Sequence, residues 1–248
     1  RNKGKYDLAL TDYSKAIEIN PNNSGAYNNR GCFFLCQDMY DQAIFDCSKA
    51  LEIDPMLVDA YNNRGLTYVA KGEYDKAISD YNHAIEIDPI NANGYIKRGN
   101  AYVQGKGGYN QAILDYTKAL EIDPKITEGY IYRAIAYAQG KGKYDQSILD
   151  LHKAIEINPS AEAFSSLGLI YYYKGMNDEA ISNYRKAVKI NPKYAEAYFN
   201  MAFVYEKLER FKEAVETYKA FVEYAQTHHS PYVKQAYNKI HELESKMK

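Results

Sequence analysis

The chain has 248 residues, 46% of them hydrophobic and 25% charged, enough to bury a sizeable core in one large domain or two ordinary ones. Thirty-one Lys+Arg face 32 Asp+Glu, a net charge of −1, which leaves no electrostatic footprint for nucleic acid. Apolar runs stay far short of the ~20 residues of a membrane-spanning helix, and no basic-then-apolar leader opens the chain.

Twenty-seven tyrosines and no tryptophan mark tyrosine as a recurring packing unit. Pro21, Pro55, Pro89, Pro124, Pro159 and Pro192 follow one another at 34, 34, 35, 35 and 33 residues, and each closes a phrase such as Ala50-Leu51-Glu52-Ile53-Asp54-Pro55. A period of this length means a stacked array of short structural units. Within each interval, apolar residues fall three and four apart, break at a turn such as Gly72-Glu73-Tyr74-Asp75, then resume. That pattern predicts helix, turn, helix, with the proline ending the second helix.

In chain order, residues 1–23 hold only the second helix of a first repeat, Tyr6 to Ile19, after a Gly4-Lys5 turn. With Arg1 in place of Met, the missing first helix leads us to expect that the array continues upstream. Six complete repeats, numbered two to seven, span 24–226. Repeats four and five gain a residue in turns reading Gln104-Gly105-Lys106-Gly107-Gly108 and Gln139-Gly140-Lys141-Gly142-Lys143, and the loop after Pro159 is one residue shorter. In repeat seven, Phe221 replaces a small residue and Gln226 the proline. Ser230-Pro231 predicts a helix start, with Ser230 as N-cap. Val233, Ala236, Tyr237, Ile240, Leu243 and Met247 then form an apolar stripe on a capping helix over 231–248, an expected natural end of the array.

Places in each repeat are counted from the third residue after the loop proline (the second after Pro159). The fourth place is aromatic: Tyr27, Tyr61, Tyr95, Tyr130, Phe164 and Tyr198. The eighth is small: Gly31, Gly65, Gly99, Ala134, Gly168 and Ala202. The twentieth is Ala43, Ala77, Ala112, Ser147, Ala180 and Ala214, and the twenty-seventh Ala50, Ala84, Ala119, Ala154 and Ala187. In these residues the chain resembles the tetratricopeptide repeat family. The resemblance implies an all-α, right-handed superhelical solenoid of helix-turn-helix units, with small residues where two helices approach closely.

Most of the unusual residues have structural explanations. Twenty of the 27 tyrosines recur at the fourth, eleventh, seventeenth and twenty-fourth places and read as packing. Arg30, Arg64, Arg98 and Arg133 at the seventh place accompany Asp46, Asp80, Asp115 and Asp150 at the twenty-third. Repeats six and seven lose both together, with Leu167 and Asn183, then Met201 and Thr217. This co-occurrence predicts an Arg–Asp pair within each repeat, leaving Asp12 without its partner helix. Cys32, Cys36 and Cys47 read as core thiols, and their odd, low number fits a reducing compartment such as the cytoplasm. The Gly-Lys-Gly turns lack phosphate-loop spacing, His228-His229 sits in a terminal loop, and no catalytic constellation or cofactor motif is legible.

The resemblance implies that the first helices line a concave groove that holds a partner peptide or protein segment. Its exposed places carry two sets of candidates. Asn29, Asn63, Lys97, Tyr132 and Asn200 stand at the sixth place, with Asn28, Asn62 and Asn100 nearby. An amide there grips a peptide backbone through donor and acceptor together. Further along, Ile131, Ile135, Leu169, Tyr172, Phe199 and Phe203 form an apolar stretch expected to anchor a partner. Relatives that bind acidic chaperone tails carry lysine at the fifth place and, two repeats later, the second. Neither column here contains a lysine, so that activity is not expected. Residues 1–124 carry 13 Lys+Arg and 17 Asp+Glu, and residues 125–248 carry 18 and 15, an asymmetry that favours oriented partners or self-association. The expected function is a non-enzymatic binding scaffold, without cofactor, metal or membrane insertion. The alternatives are the recruiting arm of a larger enzyme, such as a glycosyltransferase, and a self-assembling module.

Overall fold

The computed structural model describes residues 3–225 and 231–247, and among these residues it contains 14 α-helices. They are α1 (Lys3–Ile19), α2 (Ser24–Cys36), α3 (Tyr40–Ile53), α4 (Val58–Ala70), α5 (Tyr74–Ile87), α6 (Ala92–Lys106), α7 (Tyr109–Ile122), α8 (Thr127–Lys141), α9 (Tyr144–Ile157), α10 (Ala161–Tyr173), α11 (Asn177–Ile190), α12 (Ala195–Lys207), α13 (Phe211–Tyr224) and α14 (Pro231–Lys246). The all-α fold of consecutive helix-turn-helix pairs is as the sequence predicts. Even-numbered helices α2 to α12 are the first helices of repeats two to seven, and α3 to α13 are their second helices. Gln226 and the expected N-cap Ser230 lie outside the described residues, as do Thr227, His228 and His229.

Helix ends follow local chemistry. Asn23 and Ser160 cap α2 and α10, accepting from the Ala26 and Ala163 N–H groups at 2.9 and 3.1 Å. At the close of the second helices, Asp54, Asp123 and Asn191 accept from the N–H two residues on, across the proline. Two expected turns differ. Gly4 and Lys5 lie inside α1. The inserted residues of repeats four and five lengthen the first helix, so that Gln104–Lys106 and Gln139–Lys141 are helical and the chain turns at Gly107 and Gly142, both at φ 59°. Nor is the turn always glycine: Asp38 and Glu209 hold left-handed φ values of 57° and 56° where repeats three and six use Gly72 and Gly175.

The chain forms two compact bodies, residues 1–129 and 130–248. In the first, α1 packs on α2, and α2–α3, α4–α5 and α6–α7 are pairs, with α3 against α4 and α5 against α6. In the second, α10–α11 and α12–α13 are pairs, α9 packs on α10, α11 on α12, and α14 on α13. Alanines of the twentieth and twenty-seventh places, such as Ala43, Ala50, Ala77, Ala180 and Ala187, are fully buried. Ser147, the exception at the twentieth place, is buried too and donates its hydroxyl to the Ala134 carbonyl at 2.7 Å. On α14, Val233, Ala236, Ile240 and Leu243 are buried, whereas Tyr237 faces water, as does Met247 just past the helix end, so the apolar stripe is narrower than expected.

All four Arg–Asp pairs form as predicted, each bidentate. Arg64 Nε and Nη2 donate to Asp80 at 2.9 and 2.7 Å, and Arg30–Asp46, Arg98–Asp115 and Arg133–Asp150 repeat the arrangement. The hydrogen bond to Asp80 holds the Arg64 guanidinium above its ordinary pKa. Each guanidinium also sits 5.6–5.8 Å from the ring of the tyrosine three residues earlier, Tyr27, Tyr61, Tyr95 or Tyr130. In repeats two to four, Nη1 reaches back to the preceding second helix, at Ser14, Ser48 and Asn82. One arginine thus ties together three helices. Where it is absent, Asn183 and Thr217 bond to the carbonyl four residues earlier on their own helix, which satisfies those two side chains.

Of the three cysteines read as core thiols, only Cys47 is buried; Cys36 is exposed and Cys32 half-buried.

Candidate functional site

In the first body, the asparagines do not form the open row that was expected. Asn29 is exposed and Asn63 half-buried, but Asn28 and Asn62 are each only 7% exposed. The reason is packing between repeats: α4 lies against α2, and Asn63 Nδ2 donates to Asn28 Oδ1 at 3.0 Å. The sixth place of one repeat therefore covers the fifth place of the one before. Asn100 is half-buried and already accepts a hydrogen bond from the Tyr116 hydroxyl at 2.6 Å. Lys97 follows Asn63 at the sixth place. Burial pushes its amine below the ordinary lysine pKa, against an opposing pull from Asp59. Asn28 and Asn100 are thus structural links, Asn62 is buried with its Oδ1 unpaired, and of these candidates Asn29, Asn63 and Lys97 remain at least partly accessible.

In the second body, the apolar candidates divide similarly. Ile131 is 2% exposed and belongs to the core with Leu151, Leu167 and Ile170. Phe199 is half-buried, but its ring meets Phe221 at 5.0 Å, Tyr232 at 5.5 Å and Tyr218 at 5.8 Å. Phe221 is buried on α13, and Tyr232 of α14 meets the Phe199 ring edge-to-face. Ile131 is corrected from a surface anchor to a packing residue, and Phe199 keeps a partly accessible ring packed on its neighbours. Tyr132 is half-buried against the same core as Ile131, and Asn200 is half-buried. Tyr172 and Phe203 meet edge-to-face at 5.7 Å and remain partly accessible, with the Lys207 amine 5.4 Å from the Phe203 ring.

Ile135 and Leu169 lie together in a pocket of about 170 Å³ on the face made by first helices α8, α10 and α12. Its other walls are Ala138, Ile170 and Tyr173, and the charge lining it is that of Glu196. The sequence signal for this pocket is Ser165-Ser166, which also line it. At the fifth and sixth places the flanking repeats carry Ile131-Tyr132 and Phe199-Asn200, and two serines leave the volume of those side chains empty. Serines in a helix raise no alarm alone, and the gap becomes visible only once the three helices stand side by side.

The helix-turn-helix pairs define an all-α repeat protein. Models described as TPR repeat match residues 1–34, 65–105 and 168–209, and models described as tetratricopeptide repeat match 24–57, 47–79, 92–126 and 195–228. The chain belongs to the tetratricopeptide repeat family, whose members serve in general as protein-interaction scaffolds. No curated protein sequence matches it. Among solved structures it is similar to a tetratricopeptide repeat protein from Parabacteroides merdae, at 21% identity and TM-score 0.78 over 97% of this chain and 94% of that one. It is also similar to YrrB, described as a TPR protein with an unusual peptide-binding site, at 25% identity and TM-score 0.58 over 75% and 95%. The third is MamA, at 31% identity and TM-score 0.56 over 64% and 93%. No helix among the described residues is long and apolar enough to cross a membrane.

Proposed function

We propose that the chain is a non-catalytic scaffold whose first-helix face captures a segment of a partner protein. The observation that carries this reading is the half-buried Tyr172–Phe203 pair on α10 and α12, aromatic surface that stays partly accessible on the first-helix face. Asn29, Asn63 and Lys97 supply polar contacts on the first helices of the other body. The peptide-binding site named for YrrB supports the same assignment. The repeats acting in this way are those of residues 24–226, with 231–248 as their cap.

The test is affinity capture from a lysate of the source cell, comparing the wild type with the variant Asn29→Ala, Tyr172→Ala, Phe203→Ala. Phe199 is left intact because it is packed. A protein held by the wild type and lost by an equally helical variant supports the reading. Equal retention by both moves the function away from this face, and recovery of the chain alone points to self-assembly.

A further inference from the structure

We infer that the pocket walled by Ile135, Leu169 and Tyr173 takes a single aliphatic or phenyl side chain of the partner, and that Glu196 pairs with a lysine or arginine beside it. The inference rests on the proposed function and names the chemistry of the captured segment. Two independent features carry it.

The first is volume. A pocket of about 170 Å³ has an apolar side of Ile135, Ala138, Leu169, Ile170 and the Tyr173 ring and a polar side of Gln139, Ser165, Ser166 and Glu196. An apolar cavity of ~150 Å³ accommodates benzene, so the space here suits one side chain of leucine to phenylalanine size. The space exists because Ser165 and Ser166 replace the bulky pairs of the flanking repeats.

The second is charge. Glu196 is exposed at the rim, and its carboxylate accepts from the Tyr194 hydroxyl at 3.3 Å. Glu162 stands on the same side: after burial, the charges of Glu196 and Glu162 are what push the Tyr194 hydroxyl above the ordinary tyrosine range. Lys174 is engaged with Asp145 at 2.6 Å, and Lys186 lies over the Phe164 ring at 5.5 Å. An apolar slot with a carboxylate edge selects an apolar residue with a basic neighbour and disfavours one with an acidic neighbour.

The experiment is to pan a phage library of random nonapeptides against the full 248-residue chain. The enriched peptides are then synthesised and their affinities measured by fluorescence anisotropy at low and high salt. Three variants are compared: Glu196→Lys at an exposed site, Ser166→Phe to fill the pocket, and Tyr172→Ala with Phe203→Ala. Circular dichroism melts establish that each is folded. The expected peptides share one aliphatic or phenylalanine residue beside a lysine or arginine. They lose about tenfold in affinity to Glu196→Lys and to Ser166→Phe, and the salt dependence disappears with Glu196→Lys. Enriched peptides without the basic residue, or indifferent to both variants, overturn the inference. If those same peptides are lost by the Tyr172 and Phe203 substitutions, the wider reading of the face stands without it. If no peptide is enriched, both fail.

Discussion

Gly65 of α4 lies directly against the Tyr81 ring of α5: a Cβ added at Gly65 would stand 2.7 Å from Tyr81 Cε1. The same approach joins Gly99 to Tyr116 and Gly168 to Tyr184, so in repeats three, four and six the eighth and twenty-fourth places form one contact in which a missing side chain makes room for a ring. Tyr81 is 1% exposed and has nowhere to retreat. Repeat five solves the same contact differently, with Ala134 and Leu151.

Gly65→Ala therefore overpacks the helix pair and lowers stability by about 1–3 kcal/mol in urea unfolding. Combining it with Tyr81→Leu, which copies repeat five, is expected to cost less than the sum of the single changes. A purely additive cycle would show that the two residues are not coupled.

The arginine ties make a second prediction. Asp80→Asn leaves the Arg64 guanidinium without its bidentate partner, and Arg64→Leu leaves a carboxylate only 4% exposed without its cation. Each single change is expected to cost about 3 kcal/mol. The double variant reproduces the Leu167 and Asn183 of repeat six and is expected to recover much of that loss. Thermal melts of the three variants decide it.

Left-handed turns offer a gain. Glu209 at φ 56° carries a side chain where Gly175 at φ 77° has none. Glu209→Gly relieves backbone strain, and after the extra freedom glycine adds to the unfolded chain the net gain is about 0.5–1 kcal/mol. Gly175→Ala is expected to lose stability through backbone strain alone, because nothing lies within 4 Å of the added Cβ. Opposite shifts in melting temperature are the expected result.

Thiol reactivity separates the three cysteines. Burial pushes the Cys47 thiol up to about 12, against an opposing pull from Arg64, and burial likewise raises Cys32. Only the thiolate reacts, so at pH 8 Cys47 is protonated as well as enclosed. A chromogenic disulfide reagent is expected to modify exposed Cys36 first, Cys32 more slowly, and Cys47 only on unfolding. Fast modification of all three in the native state would contradict the packing around Cys47.

The helices, their order and the Arg–Asp pairing were legible from residues alone because each is a relation within one repeat, copied several times. Arg64 with Asp80 is a pair 16 residues apart that recurs in four repeats, at 16 or 17 residues, and loses both members together in repeats six and seven. Asn28 was misjudged for the opposite reason. Its partner Asn63 belongs to the next repeat, and whether that amide faces water or a neighbouring helix depends on how two units stack. Asp38 and Glu209 show a smaller limit, since a turn taken with an ordinary residue leaves no glycine to read.

From the sequence by itself came the periodic apolar spacing, the prolines that end each second helix, and the small residues that let helices close, all local consequences of backbone and side-chain chemistry. Tertiary structure alone decided which first-helix residues are buried and which stay accessible. Phe199 packs against Phe221 and Tyr232, and Ser165-Ser166 line a pocket with Ile135, Leu169 and Tyr173. Accessibility is a property of assembled surfaces, so the chain neighbours Asn28 and Asn29 divide into a buried and an exposed amide only when the next repeat is in place.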